Sequence, residues 1–266
     1  QLTDAIARAY SYLGMSREGA ALIERDLAAV RSAGADGVLA LLTLAHAYRE
    51  AGRFEAALRL THDAEGQLES AKRGRPDLMG YVYETRAAIE VDLAQAEQSL
   101  RDYERALREY RRSARAGPLD IARALNNKSV AQAALGDHQG AQRSLLEAGD
   151  IFRRHSGERS LMYGQNLFAL ASYSHDAGDH AAATRYLAQS SAVLNSILDP
   201  ANPMLADVLT LQGQLSLENE DYAAAATQLT QAVSVYEAGY GGANLATGFA
   251  QYYLAAAHYG LGETDR

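Results

Sequence analysis

Apolar residues recur along the chain at the three- and four-residue intervals of a helix face, in paired runs separated by short turns. The pattern is clearest in Leu125–Ala141, LNNKSVAQAALGDHQGA, which returns as Leu167–Ala183, LFALASYSHDAGDHAAA, and as Leu209–Ala225, LTLQGQLSLENEDYAAA. A clipped fourth copy begins at Gln251 and runs just past Gly262, so the starts at 125, 167, 209 and 251 give a period of 42. Each copy predicts a helical hairpin. Gly136 and Gly178 follow the first helix, where a left-handed cap costs glycine least. Asp137, Asp179 and Asp221 come next, placed to N-cap the second helix. Ala141, Ala183 and Ala225 mark the helix crossing, with Leu145, Leu187 and Leu229 packing one turn later. Turn-forming segments HSGERS, DPANP and YGGAN near 157, 199 and 241 separate the hairpins.

The first half repeats less strictly. A first unit runs from about Ala5 to Val30 around Gly14, and Leu41–Ala64 is the cleanest copy, with Ala45 and Tyr48 on one face, Gly52 at the turn and Ala57 in the second helix. In unit three, after the breaker Lys72–Asp77, the pattern predicts a helix from about Leu78 towards Ala96. A turn near Gln98–Asp102 follows, then a second helix with Tyr103, Ala106 and Tyr110 inward. The expected organisation is one continuous array over 1–266, with units at about 1–36, 37–72, 78–117, 119–156, 161–198, 203–239 and a partial one at 245–266.

Composition narrows the functional classes. Apolar residues make up 48%, many of them alanine, which favours helix and lets helices approach closely. Zero cysteines exclude disulfides, thiolate metal sites and a cysteine nucleophile, and fit a reducing cytoplasmic setting. No apolar run approaches the ~20 residues of a membrane helix, and no signal peptide precedes the first repeat. The start at Gln1 and the stop inside a repeat read as a segment of something longer. Only Lys72 and Lys128 among the 25 basic residues are lysine, the habit of a GC-rich, bacterial genome. Net charge is −8: residues 98–160 carry 12 basic against 8 acidic groups, while 161–266 carry Arg185 and Arg266 against ten acids. Acidic ends around a basic waist speak against nucleic-acid binding, which needs a basic face along the contact.

Paired helices with a small residue, a tyrosine, a turn glycine, then alanine and a bulky residue resemble tetratricopeptide repeats (TPR). The 42-residue period resembles the long-repeat, kinesin light chain type, and LNNKSVAQAALGD is similar to its LNNLA…G phrase. The family's tryptophan is absent, and Glu220 replaces the turn glycine of unit six. The resemblance implies an all-α fold: a right-handed α–α superhelix, or TPR solenoid, of about six helical hairpins plus one extra helix. It implies that first helices line a concave groove for extended peptides or helices of partner proteins. In that family the paired asparagines contact the peptide backbone, a role that carries over only to Asn126 and Asn127. The matching places hold Phe168 and Ala169, Thr210 and Leu211, and Tyr252 and Tyr253.

The partner-binding candidates are therefore Arg123, Asn126, Asn127, Phe168 and Tyr252. Asparagine offers a donor and an acceptor to an extended backbone, and Arg123, one turn earlier, offers its guanidinium to a carboxylate. The plainer reading is an asparagine bonded within its own hairpin. Phe168, Tyr252, Tyr253 and Tyr259 suit either anchoring or core packing, with packing favoured for Tyr253. Arg101, Arg105, Arg108, Arg112 and Arg115 form a stripe on the second helix of unit three, more simply read as a solvated face laced with Asp102, Glu104 and Glu109. The segment His175–His180, HDAGDH, superficially offers metal ligands, but as a turn it lacks the fixed geometry they need. No catalytic motif occurs, and no cofactor or metal is expected. The sequence reads as a non-enzymatic module for a protein or peptide partner. The alternatives are a regulatory or sensory region of a larger bacterial signalling protein (a Ser/Thr kinase or transcription regulator) and a structural homo-oligomerisation element.

Overall fold

The computed structural model describes residues 16–71, 74–240 and 244–263. The described residues form thirteen α-helices and one 3-10 turn, and no strand occurs among them. The chain divides into two compact units, Gln1–Ser144 and Leu145–Arg266.

In the first unit, α1 (Ser16–Arg25) and α2 (Leu27–Ser32) precede the 3-10 turn Gly34–Asp36. The turn expected at Gly14 lies outside the described residues. Next come the hairpin α3 (Val38–Glu50) and α4 (Phe54–Glu69), the hairpin α5 (Pro76–Asp92) and α6 (Ala96–Arg112), and α7 (Pro118–Ala134). Helix α8 (His138–Ser156) carries the boundary between the units. The second unit continues with α9 (Leu161–Asp176) and α10 (His180–Asn195), α11 (Pro203–Glu218) and α12 (Tyr222–Tyr240), and α13 (Leu245–Gly260).

The hairpin turns share one backbone device. Gly52, Gly136 and Gly178 have φ of 71, 78 and 76°, and each is followed by a residue whose N–H bonds back to the carbonyl five positions earlier. These bonds are Arg53 to Tyr48 (2.8 Å), Asp137 to Gln132 (2.9 Å) and Asp179 to Ser174 (2.8 Å), the six-to-one closure of a left-handed helix cap. Glu220 (φ 60°) adopts the same conformation with Asp221 bonded to Ser216 at 2.9 Å, so the substitution keeps the turn. In unit three the turn lies earlier than the expected Gln98–Asp102. Ala94 (φ 57°) takes the left-handed position and Gln95 bonds to Glu90 at 2.8 Å. Without a glycine, the backbone signal there is invisible in the sequence.

The three aspartates cap as expected: Asp137, Asp179 and Asp221 accept from the N–H of Gly140 (2.9 Å), Ala182 (3.0 Å) and Ala224 (3.1 Å). First helices of the second unit have caps of their own at the same period. Ser160, Asn202 and Asn244 accept from Tyr163, Met204 and Ala246. The crossing residues Ala57, Ala106, Ala141, Ala183 and Ala225 are fully buried, and so are Leu145 and Leu229. Close approach is visible at Gly164 and Gly213, where a Cβ would stand 2.6 and 2.5 Å from Leu194 and Leu229 of the facing helix. Hairpins also share a polar crosslink with exchanged partners. Ser144 donates to Gln132 at 2.7 Å, and Ser216 to Gln228 at 3.0 Å.

One buried ionic bridge ties α4, α5 and α6 together. Arg86, on α5, donates to Glu65 at 2.7 Å and to Asp102. Glu90 lies one turn along and is buried, with its Oε2 lacking a partner. Burial first, then the charge of Asp102, pushes its carboxyl up to about 7.

Candidate functional site

In the first unit, α3, α5 and α7 stand side by side as successive first helices. Their shared face contains a cavity of about 470 Å³. Its floor is built on Glu84, which the apolar pattern of α5 buries to 4% exposure. Arg123, on α7, meets this carboxylate with two bonds, Nε to Oε1 at 2.8 Å and Nη2 to Oε2 at 2.9 Å. Tyr110, reaching in from α6, donates its hydroxyl to Glu84 at 2.6 Å. Asp120 adds a contact at 3.2 Å to the same Nη2 while its other oxygen accepts from the Gly117 N–H at the start of α7. Such a bidentate charged pair is geometrically rigid. Burial disfavours the charge on Arg123, but the bonds and field of Glu84 outweigh it and raise its pKa above the ordinary arginine value. Tyr110 is raised by burial and by Glu84 beside it, and stays protonated.

The opposite wall is neutral. His46 Nε2 stands 3.2 Å from the Tyr81 hydroxyl and 3.4 Å from Thr85 Oγ1. Burial, with the charges of Arg49 and Arg123, lowers its pKa to about 4, so the ring is uncharged at neutral pH. Arg49 is held by Asp92. Asp77 is held by Arg75, and three lining groups are uncommitted: the Arg115 guanidinium, the Asn127 amide and Nη1 of Arg123 have no side-chain or backbone partner among the described residues. Carboxylates around the cavity are already engaged, while cationic and amide donors point into it unspent. The cavity therefore offers hydrogen-bond donors to carbonyl and carboxylate oxygens, flanked by the ring of Tyr81, over which the Arg123 guanidinium sits at 5.7 Å.

The structure brings Arg123 and Asn127 together in this lining and separates Asn126 from them. Neighbouring positions on a helix point about 100° apart, and here that turn carries Asn126 away from the lining that Asn127 joins. Asn126 is half-buried and outside the lining. The carboxylate that Arg123 grips is the chain's own Glu84. Phe168, in the second unit, is half-buried against the apolar cluster that contains Ala171, Leu187 and Leu211, a packing position. Tyr252 is 69% exposed, set edgewise on Tyr253 at 5.3 Å. Tyr253 packs on Ala225 and Leu229, as favoured from the sequence.

The arginine stripe needs one correction. Helix α6 ends at Arg112, so Arg115 lies beyond it and turns to the cavity instead. Of the others, Arg105 pairs with Asp102 at 2.9 Å, Arg112 with Glu109 at 2.9 Å and Arg101 with Glu97 at 3.9 Å, the pattern of a solvated face. In HDAGDH, His175 and His180 both contact Glu218 of α11, at 2.8 and 3.0 Å, and Asp179 is used as a cap. Among the described residues no group of three histidine or acidic side chains is arranged to hold a metal. No helix among them is long and apolar enough to cross a membrane.

The sequence reading missed Glu84, Tyr110, Tyr81, His46 and Arg49. One signal was available: Glu84 and Arg123 are 39 residues apart on consecutive first helices, close to one repeat.

Comparison with known proteins agrees with the helical-hairpin fold. Residues 206–239 match the SHNi-TPR family model. No curated protein sequence matches the chain. Among solved structures, the chain is similar to BtubC (BKLC) from P. vanneervenii, with 20% identity, a TM-score of 0.66, and 91% of this chain and 92% of that one covered. It is similar to the TPR-like repeats of a putative kinesin light chain from Podosopora anserina, with 16% identity, a TM-score of 0.59, and coverage of 75% and 95%. It is also similar to aspartyl phosphate phosphatase F from Bacillus subtilis, with 13% identity, a TM-score of 0.71, and coverage of 92% and 61%. The chain has the tetratricopeptide-repeat fold, and its 42-residue repeats resemble the TPR-like repeats of the kinesin light chain structure.

Proposed function

We propose that the chain is a non-catalytic protein-interaction module of the cytoplasm, and that the cavity on α3, α5 and α7 holds an extended segment of a partner protein. The observation that carries this reading is the set of uncommitted donors, Asn127, Arg115 and Nη1 of Arg123, around a guanidinium already fixed by Glu84. Arg123, held by Glu84, offers its free Nη1 with little ordering cost, while Arg115 and Asn127 are free to turn to a peptide carbonyl or carboxylate and are ordered on binding. Asn127 and Arg115 lack intramolecular side-chain partners, so removing them tests binding without disturbing the fold. Proteins captured by the parent chain, identified by mass spectrometry, are expected to be depleted at least ~10-fold with Asn127→Ala/Arg115→Ala, from two lost hydrogen bonds of which one is charged. Equal capture by the variant, at an unchanged melting temperature, overturns the assignment.

A second reading, a regulatory region of a larger bacterial signalling protein, is favoured by the likeness to aspartyl phosphate phosphatase F, of which the chain covers 61%. It differs in that the captured segment belongs to the same polypeptide, and the mass-spectrometric identity of the ligand separates the two.

A further inference from the structure

The charges around the cavity on α3, α5 and α7 cancel. Three guanidinium groups line it, those of Arg49, Arg115 and Arg123, against three carboxylates, Asp77, Glu84 and Asp120. Two of the six are neutralised by partners outside the lining: Arg49 by Asp92, and Asp77 by Arg75 at 2.7 Å. The other four are unevenly matched. Arg123 is shared between Glu84 at 2.8 Å and Asp120 at 3.2 Å, so two carboxylates surround one guanidinium and that cluster is left with a net negative charge. Arg115 supplies the balancing positive charge, and its guanidinium has no partner among the described residues. His46 adds nothing, since its ring is uncharged at neutral pH. Each oxygen of Asp120 accepts a bond within the chain, from Arg123 and from the Gly117 N–H, and a carboxylate oxygen can accept more than one. Spare acceptor capacity therefore lies in the same lining as the unused donors.

We propose that the cavity selects an uncharged, amide-bearing segment of its partner over an acidic or a basic one, a refinement that rests on the cavity being the partner site. An amide matches both halves of the lining. Its C=O accepts from Arg115, Asn127 or Nη1 of Arg123, and its N–H donates to Asp120 or to the Asn127 side-chain oxygen. Main-chain peptide groups and Asn or Gln side chains share this chemistry. A ligand carboxylate is drawn by Arg115 and Arg123 but repelled by Glu84 and Asp120, so it gives up its hydration for no net attraction. The chain's net charge of −8 adds a longer-range repulsion of acidic partners. A ligand ammonium or guanidinium meets the same cancelled charge, and it cannot bond to groups that are themselves donors.

The full 266-residue chain is the bait for phage-displayed random peptides of about 12 residues, counter-selected on Asn127→Ala/Arg115→Ala so that only cavity binders remain. Selected peptides should be depleted in Asp, Glu, Lys and Arg, and their affinities by calorimetry should change less than ~2-fold between about 50 and 300 mM NaCl. A recurring Asn or Gln identifies a side-chain amide as the anchor; charge depletion without one identifies the main chain. Placing Glu at the peptide's most recurrent position should weaken binding at least ~10-fold. Asp120→Asn, which takes one negative charge from the lining, should recover at least ~3-fold of that loss at an unchanged circular dichroism spectrum. Selected peptides enriched in acids or bases, with salt-sensitive affinity, overturn the selectivity and leave the cavity as the partner site. So does an Asp120→Asn chain that discriminates against the Glu peptide as strongly as the parent. If no peptide distinguishes the parent from Asn127→Ala/Arg115→Ala, the site itself is overturned and the selectivity with it.

Discussion

Replacing Arg123 with methionine isolates the interaction on which the cavity floor stands. Methionine keeps much of the side-chain stem that packs beside Tyr81, so the loss is chiefly of charge and hydrogen bonds. Glu84, with 5% of its side chain exposed, then keeps only the Tyr110 hydroxyl as a described partner. Removing one member of a buried ion pair costs about 3–5 kcal/mol, because the other charge stays desolvated. The Arg123 side chain is 40% exposed and opens to the cavity, which lets water reach the carboxylate and moves the expected cost to ~2–3 kcal/mol. Glu84→Gln in the same background removes the stranded charge, and the double variant should recover at least ~1 kcal/mol relative to Arg123→Met alone. Urea denaturation at pH 7 measures these values, and amide exchange should place the loss of protection in α5 and α7. An Arg123→Met chain within ~0.5 kcal/mol of the parent, or no recovery in the double variant, would refute the assignment of the pair as the structural floor of the site.

Glu90 predicts a pH dependence of opposite sign to the usual carboxylate. Its folded-state pKa of about 7 lies above its unfolded value, so the folded chain binds the extra proton and loses stability as pH rises from about 4.5 through 7. Glu90→Gln should flatten that decline and melt a few degrees above the parent at pH 8 but not at pH 5, measured by circular dichroism; parallel curves would contradict it. At the left-handed turn positions, Ala94→Gly and Glu220→Gly should each stabilise by ~0.5–1 kcal/mol, because relief of Cβ crowding exceeds the added unfolded-state entropy. Gly178→Val should do the reverse by more than ~1 kcal/mol, and matching denaturation midpoints across the three would contradict the turn assignment.

The devices read from the sequence are those governed by local rules. A glycine with positive φ, an aspartate three residues before an unpaired N–H, and an alanine at a crossing each act within one hairpin, so a fixed offset reveals them. The same logic explains the missed turn at Ala94, where the backbone conformation is present and the residue that usually marks it is not. Glu220 was legible only because its neighbours kept their offsets.

By itself, then, the order of apolar and turn residues determined the helices, their pairing into hairpins and the alanine crossings, because each depends on contacts a few residues to a few turns apart. What tertiary structure decided is how residues from different helices meet. It joined Glu84 to Arg123 and Tyr110, turned Arg115 from an apparent outer stripe to the cavity, and parted Asn127 from Asn126. Those outcomes depend on the rotation of one helix against the next. A rotation of about 100° moves one residue's direction to its neighbour's. Period and composition do not carry that angle; it is set when the side chains of neighbouring helices pack together.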